Sequence, residues 1–165
     1  MGKRVFTTVL VVGLAILGSR AASAQTSDTA TVTYQVSAVT LLDLTGSASV
    51  NINTGTVGVG LTDAIDSAGV TYAITNNAGD NSKRLVGKVS AVPISPTVLS
   101  VNVTAPSGAT SAGYVALTTS DQDLVTLIDN LNATGVAIAF KLSSTVAAGI
   151  VASTSPTFTL TIVGS

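Results

Sequence analysis

A chain of 165 residues that is 46% hydrophobic, 9% charged and 4% aromatic carries enough apolar material for one domain with a real core, and its abundance of Thr, Val, Ala, Ser and Gly is that of a sheet protein. The formal net charge is −1, and loss of Lys3, Arg4 and Arg20 with a leader takes it to −4, which leaves no electrostatic grip on nucleic acid or anionic lipid. With no Cys and no His, disulfides, thiolate nucleophiles, zinc–thiolate sites and the commonest general base are excluded, and every acidic residue is Asp, the material of turns and caps; the chain reads as non-enzymatic, with no catalytic, cofactor or metal residues.

In chain order, residues 1–24 combine a basic start (Lys3, Arg4), an apolar run over residues 5–17 and a small-residue end, Ala22-Ser23-Ala24. This is the three-part pattern of a secretory signal peptide cleaved before Gln25. The apolar run is shorter than the ~20 residues of a spanning helix, which argues against a retained anchor. The expectation is a single mature domain over residues 25–165. It is exported to the cell surface or beyond, through the periplasm in a Gram-negative cell, and makes no membrane contact after cleavage.

Residues 29–39, TATVTYQVSAV, follow. Ala30, Val32, Tyr34, Val36 and Ala38 alternate with polar neighbours, a period of two that predicts a β-strand with one apolar face and excludes an amphipathic helix. The alternation breaks at Leu41-Leu42-Asp43-Leu44, where a bend or bulge is expected. Val50 and Ile52 form a short alternation. Gly55, Gly58 and Gly60 superficially resemble a phosphate loop, but the residue order is wrong and glycines in a sheet more often mark bulges or close backbone approach.

Residues 62–69 are turn-rich, and Val70, Tyr72 and Ile74 resume the strand pattern. Residues 76–82 read as a loop whose amides and Asp80 have calcium-type oxygen donors, although Asn and Asp build turns unaided. Residues 83–92 read as a strand whose Lys83, Arg84 and Lys88 suit a solvated sheet edge. Leu99, Val101 and Val103 predict another strand, and residues 114–117 a short extended one.

The period then changes. Leu124, Leu127, Ile128 and Leu131 stand at helical spacing, with Ser120, Asp121 and Asp123 suited to an N-terminal cap. A helix of about two to three turns is predicted from Asp121 to Asn130, crossing between two sheets. Val136, Ile138, Phe140 and Leu142, then Phe158, Leu160 and Ile162, complete the strand set. Strands at this spacing predict an all-β fold, an antiparallel β-sandwich of Ig-like, Greek-key type with one short crossover helix.

The leader ending ASA, the alternating segment just behind it, and the approach VAAGIVASTSPTFTLTIV into the last strand together resemble exported bacterial fimbrial, pilin-like subunits and spore-coat-U-like secreted proteins. Cysteine-free filament proteins of the biofilm-matrix type are a similar comparison. The resemblance implies a subunit of an extracellular fibre or pilus whose residues 29–39 complete a neighbour's sheet by donor-strand pairing. Its partner is then another copy of itself, with an export chaperone or assembly machinery as a further partner. The alternative is a monomeric surface or secreted β-sandwich domain with a ligand- or carbohydrate-binding role. Sugar stacking draws on aromatic faces, here limited to Tyr34, Tyr72, Tyr114, Phe140 and Phe158 after the leader.

Overall fold

In the computed structural model, residues 27–79 and 83–164 are described. The chain divides into two compact units, Met1–Gln35 and Val36–Ser165. Of the first unit, residues 27–35 are described; they are exposed and carry neither helix nor strand. The expected signal peptide lies outside the described residues.

The second unit is built of strands β1 (Thr40–Gly46), β2 (Gly55–Thr56), β3 (Gly60–Leu61), β4 (Ala64–Asn76), β5 (Lys83–Val89), β6 (Val98–Val103), β7 (Thr110–Ser111), β8 (Tyr114–Ala116), β9 (Gln122–Ile128), β10 (Leu131–Ser143) and β11 (Phe158–Val163). A single turn of 3-10 helix, Val146–Ala148, is the sole helical element among the described residues. The strands form a five-stranded sheet ordered β1-β4-β10-β6-β8, a four-stranded sheet ordered β11-β5-β9-β7, and the isolated hairpin β2-β3. All neighbours are antiparallel.

The predicted alternations set the core. Val70, Tyr72 and Ile74 of β4, Val101 and Val103 of β6, and Ile138 and Phe140 of β10 are buried. They share one apolar cluster with Leu85 and Val89 of β5 and Leu124, Val125 and Ile128 of β9, so both larger sheets contribute to the same core. Phe140 and Phe158 meet edge-to-face with centroids 5.2 Å apart, the favoured arrangement of two ring quadrupoles. Tyr72 is buried to its hydroxyl, which donates to the Thr104 carbonyl at 2.7 Å; desolvation pushes its pKa up to about 12.

Five sequence expectations are corrected by the strand pairing. The helix predicted from Asp121 to Asn130 is absent, and β9 occupies that stretch. Its register against β5 slips twice: Leu124 is an extra residue between the Leu85↔Val125 and Val86↔Asp123 pairs, and Thr126-Leu127 face the single Arg84. Each extra residue inverts the side-chain parity of a strand. Leu124, Val125 and Ile128 therefore all turn inward, while Leu127, at φ 60°, remains 55% exposed. Two bulges have imitated a helical period.

The aspartates expected to cap that helix instead pair across the sheet, Asp123 with Arg84 at 2.8 Å and Asp121 with Lys88 at 3.2 Å. For the same reason β5 is not the solvated edge its lysines suggested; it lies between β11 and β9.

Residues 62–69 do contain turn chemistry, but within a strand. Between the pairs Ile138↔Val70 and Phe140↔Asp66, Ser67-Ala68-Gly69 bulge opposite the single residue Ala139. The Asp66 carboxylate holds the bulge by accepting N–H bonds from Ser49, Ala68 and Gly69 at 2.9–3.2 Å, and these bonds hold its pKa below the ordinary carboxylate value. Finally, no bulge occurs at Leu41: β1 keeps an unbroken register with β4, Leu42 facing the core and Leu41 facing solvent at 62% exposure.

Candidate functional site

Among the described residues, the segment 29–39 forms no ladder, and the first strand begins at Thr40. Ala30, Val32, Tyr34, Val36 and Ala38 are all exposed, Val32 at 79%, Tyr34 at 89% and Val36 at 82%. The strand expected there is thus not formed among the described residues. A period of two dictates which side of a ribbon is apolar, but a β-conformation is held only when a second backbone accepts its N–H groups and donates to its carbonyls.

The root of the segment is fixed by residues the sequence reading assigned to a loop. The Asn77 N–H donates to the Val39 carbonyl at 3.1 Å, the Val39 N–H donates to Asn77 Oδ1, and Asn77 Nδ2 donates to the Ser37 carbonyl at 3.1 Å. One side-chain amide thereby prolongs the β1–β4 ladder past its last paired residues. Beside it, buried Asn76 accepts from Thr40 Oγ1 at 2.8 Å and donates to the Asp129 carbonyl at 2.9 Å. The signal that could have located this anchor is the Asn-Asn pair at the end of an alternating run, where amides can stand in for backbone groups.

The remaining candidates are placed as follows. Gly55, Gly58 and Gly60 belong to the β2-β3 hairpin, whose turn is closed by the Val59 N–H donating to the Thr56 carbonyl at 3.0 Å. Gly58 takes φ 76° in that turn, and a Cβ at Gly55 would stand 2.5 Å from the Gly60 carbonyl oxygen. Gly55 thus serves the close backbone approach the sheet reading expected, while Gly58 serves a turn rather than a bulge. Asp80, central to the calcium reading, lies outside the described residues. Among the described residues, no three His, Cys, Asp or Glu side chains are placed to share a metal ion. Of the five aromatic side chains, Tyr72 and Phe140 are buried, and Tyr114 is 41% exposed with Lys141 Nζ 4.9 Å from its ring centroid.

What the exposed segment can do chemically is pair. It is uncharged from Thr29 to Val39 and has one apolar and one polar face. Residues 30–36 each offer both a backbone donor and a backbone acceptor, whereas Val39 and the Ser37 carbonyl are already bonded to Asn77. Among the described residues, no helix is long and apolar enough to cross a membrane. No protein-family model, curated protein or solved structure matches the chain.

Proposed function

We propose that the chain is an exported, non-enzymatic structural subunit that polymerises into an extracellular fibre, residues 29–39 of one copy pairing as a strand with a neighbour. In this reading the two larger sheets pack face to face as a β-sandwich of Ig-like, Greek-key type, with the leader removed before Gln25. The observation that carries the reading is the exposure of Val32, Tyr34 and Val36 in a segment with the two-residue period of a half-buried strand. Leaving such side chains in water forgoes roughly 1.5–3 kcal/mol each for the larger ones, which burial under a partner would recover.

A head-to-tail contact of this kind does not close on itself, so it propagates. The uncharged segment and the domain's small net charge present no electrostatic barrier between copies. The carbohydrate-binding alternative has less to draw on. Tyr34 sits within the pairing segment itself, and the Tyr114 ring is already occupied by Lys141.

The test is electron microscopy of the processed protein beside a variant lacking residues 27–38 and a Val32→Asp variant. Filaments from the parent chain alone, with both variants folded and monomeric, support the reading. An unpaired carboxylate in the receiving groove would cost several kcal/mol, on the order of 2–7 kcal/mol for a buried polar group without a partner. A parent chain that stays monomeric at high concentration rejects it.

A further inference from the structure

Each sheet has two edges, and an edge strand is open to pairing unless it is short, charged, kinked or covered. Of the four edges of the two larger sheets, β7 has two residues and β8 three, too short to receive a long ribbon. Strand β1 is longer, but Asp43 stands at its centre, and its N-terminal continuation leads into the exposed segment itself.

Strand β11 differs in every respect. Its six residues carry no charge and no proline, its register with β5 is continuous, and its other side has no ladder partner among the described residues. Its inward residues Phe158, Leu160 and Ile162 pack on the core yet remain only half-buried. Strand β1 approaches β11 without forming a ladder with it, and this edge has no charge, proline or bulge to discourage pairing.

The sequence around that edge matches the exposed segment. Residues 157–162 read Thr-Phe-Thr-Leu-Thr-Ile, and residues 29–34 read Thr-Ala-Thr-Val-Thr-Tyr. Laid side by side with Thr31 opposite Thr159, the two ribbons match in either direction. A parallel pairing sets Thr29 and Thr33 against Thr157 and Thr161, and an antiparallel one exchanges those partners. In both, threonines share the solvent face, where cross-strand Thr pairs contribute roughly 0.2–1 kcal/mol, and apolar side chains share the other. A slip of one residue would turn every apolar side chain outward, and a slip of two would lose one of the three threonine pairs, so the register with Thr31 opposite Thr159 is the one that keeps both.

From this we infer that the unpaired edge of β11 is the acceptor for residues 29–34 of a second copy, with Thr31 opposite Thr159. The inference rests on the fibre reading above and specifies which edge receives the segment.

The absence of cysteine allows a direct test. Two single-cysteine variants of the processed full chain, Thr31→Cys and Thr159→Cys, are mixed under assembly conditions and oxidised. Directly opposed residues on neighbouring strands lie within disulfide range. The assignment expects a covalent heterodimer from this mixture and none above background when Thr31→Cys is mixed with Thr45→Cys, an exposed position on β1. All three sites are exposed threonines, and circular dichroism checks that each variant folds. Filaments that form without the Thr31–Thr159 cross-link, or that cross-link at Thr45 instead, overturn the β11 assignment while leaving the fibre reading intact. Absence of both filaments and cross-links overturns the two together.

Discussion

Asn77 grips Val39 from two directions: its backbone N–H donates to the Val39 carbonyl, and its side-chain oxygen accepts the Val39 N–H. Ordered sheet therefore begins at a defined point, with residues 29–36 on the far side of it. An Asn77→Ala substitution removes the side-chain half of this grip and the bond to Ser37, while leaving the β1–β4 ladder in place. The expected cost in global stability is up to about 1 kcal/mol, typical of exchanged hydrogen bonds. The sharper readout is amide exchange. Val39 and Thr40 should exchange faster in Asn77→Ala with little change at Ile74 or Tyr72. Unchanged exchange at Val39 would show that the amide does not hold the segment.

Asp66 predicts a pH dependence. Three backbone N–H groups hold its pKa below the unfolded value of about 3.9. A depressed carboxylate pKa contributes stability that is present above the unfolded value and is lost as pH falls through the folded one. The denaturation midpoint should fall as pH drops below about 4. Asp66→Asn should be less stable at neutral pH and show a shallower acid decline. Parallel acid curves for parent and variant would reject the assignment.

Leu127 occupies the left-handed region at φ 60° and is 55% exposed, so it bears a backbone penalty with modest burial in return. That conformation costs a residue with a Cβ about 1–2 kcal/mol, which glycine avoids at the expense of greater freedom in the unfolded chain. Leu127→Gly should therefore raise stability by about 0.5–1 kcal/mol by urea titration, whereas a glycine within a helix would lower it by a similar amount. The sign of the change separates a bulged strand from the helix that the sequence pattern suggests.

Gly87 predicts the opposite outcome. A Cβ there would stand 2.5 Å from Leu124 Cδ1 and 2.9 Å from Phe158 Cε2, and Leu124 is fully buried. Gly87→Ala should destabilise the domain by about 1–3 kcal/mol, the cost of overpacking a filled core. Since Phe158 belongs to β11, the substitution should also loosen that edge, seen as faster amide exchange at Leu160 and Ile162. A neutral result would mean that β11 lies farther from β5 than the geometry requires.

Much of the fold was legible from alternation alone. Val70-Tyr72-Ile74, Leu99-Val101-Val103 and Phe158-Leu160-Ile162 each read as strands, and each is one, because a single apolar face is all a strand needs to declare itself. The turn chemistry at Asp66 was equally plain. These are local properties, settled by side-chain direction and short-range hydrogen bonds.

Which strands neighbour one another was not local. Whether Leu124 to Ile128 made a helix or a twice-bulged strand depended on β5 lying alongside, and whether Lys88 stood on an edge depended on β11 pairing outside it. The role of Asn77 likewise rests on a segment 38 residues away. Hydrogen bonds between distant segments are chosen by the packed whole. Only the tertiary structure could therefore decide that residues 30–36 pair with no strand among the described residues, and that β11 has a ladder partner there on one side alone.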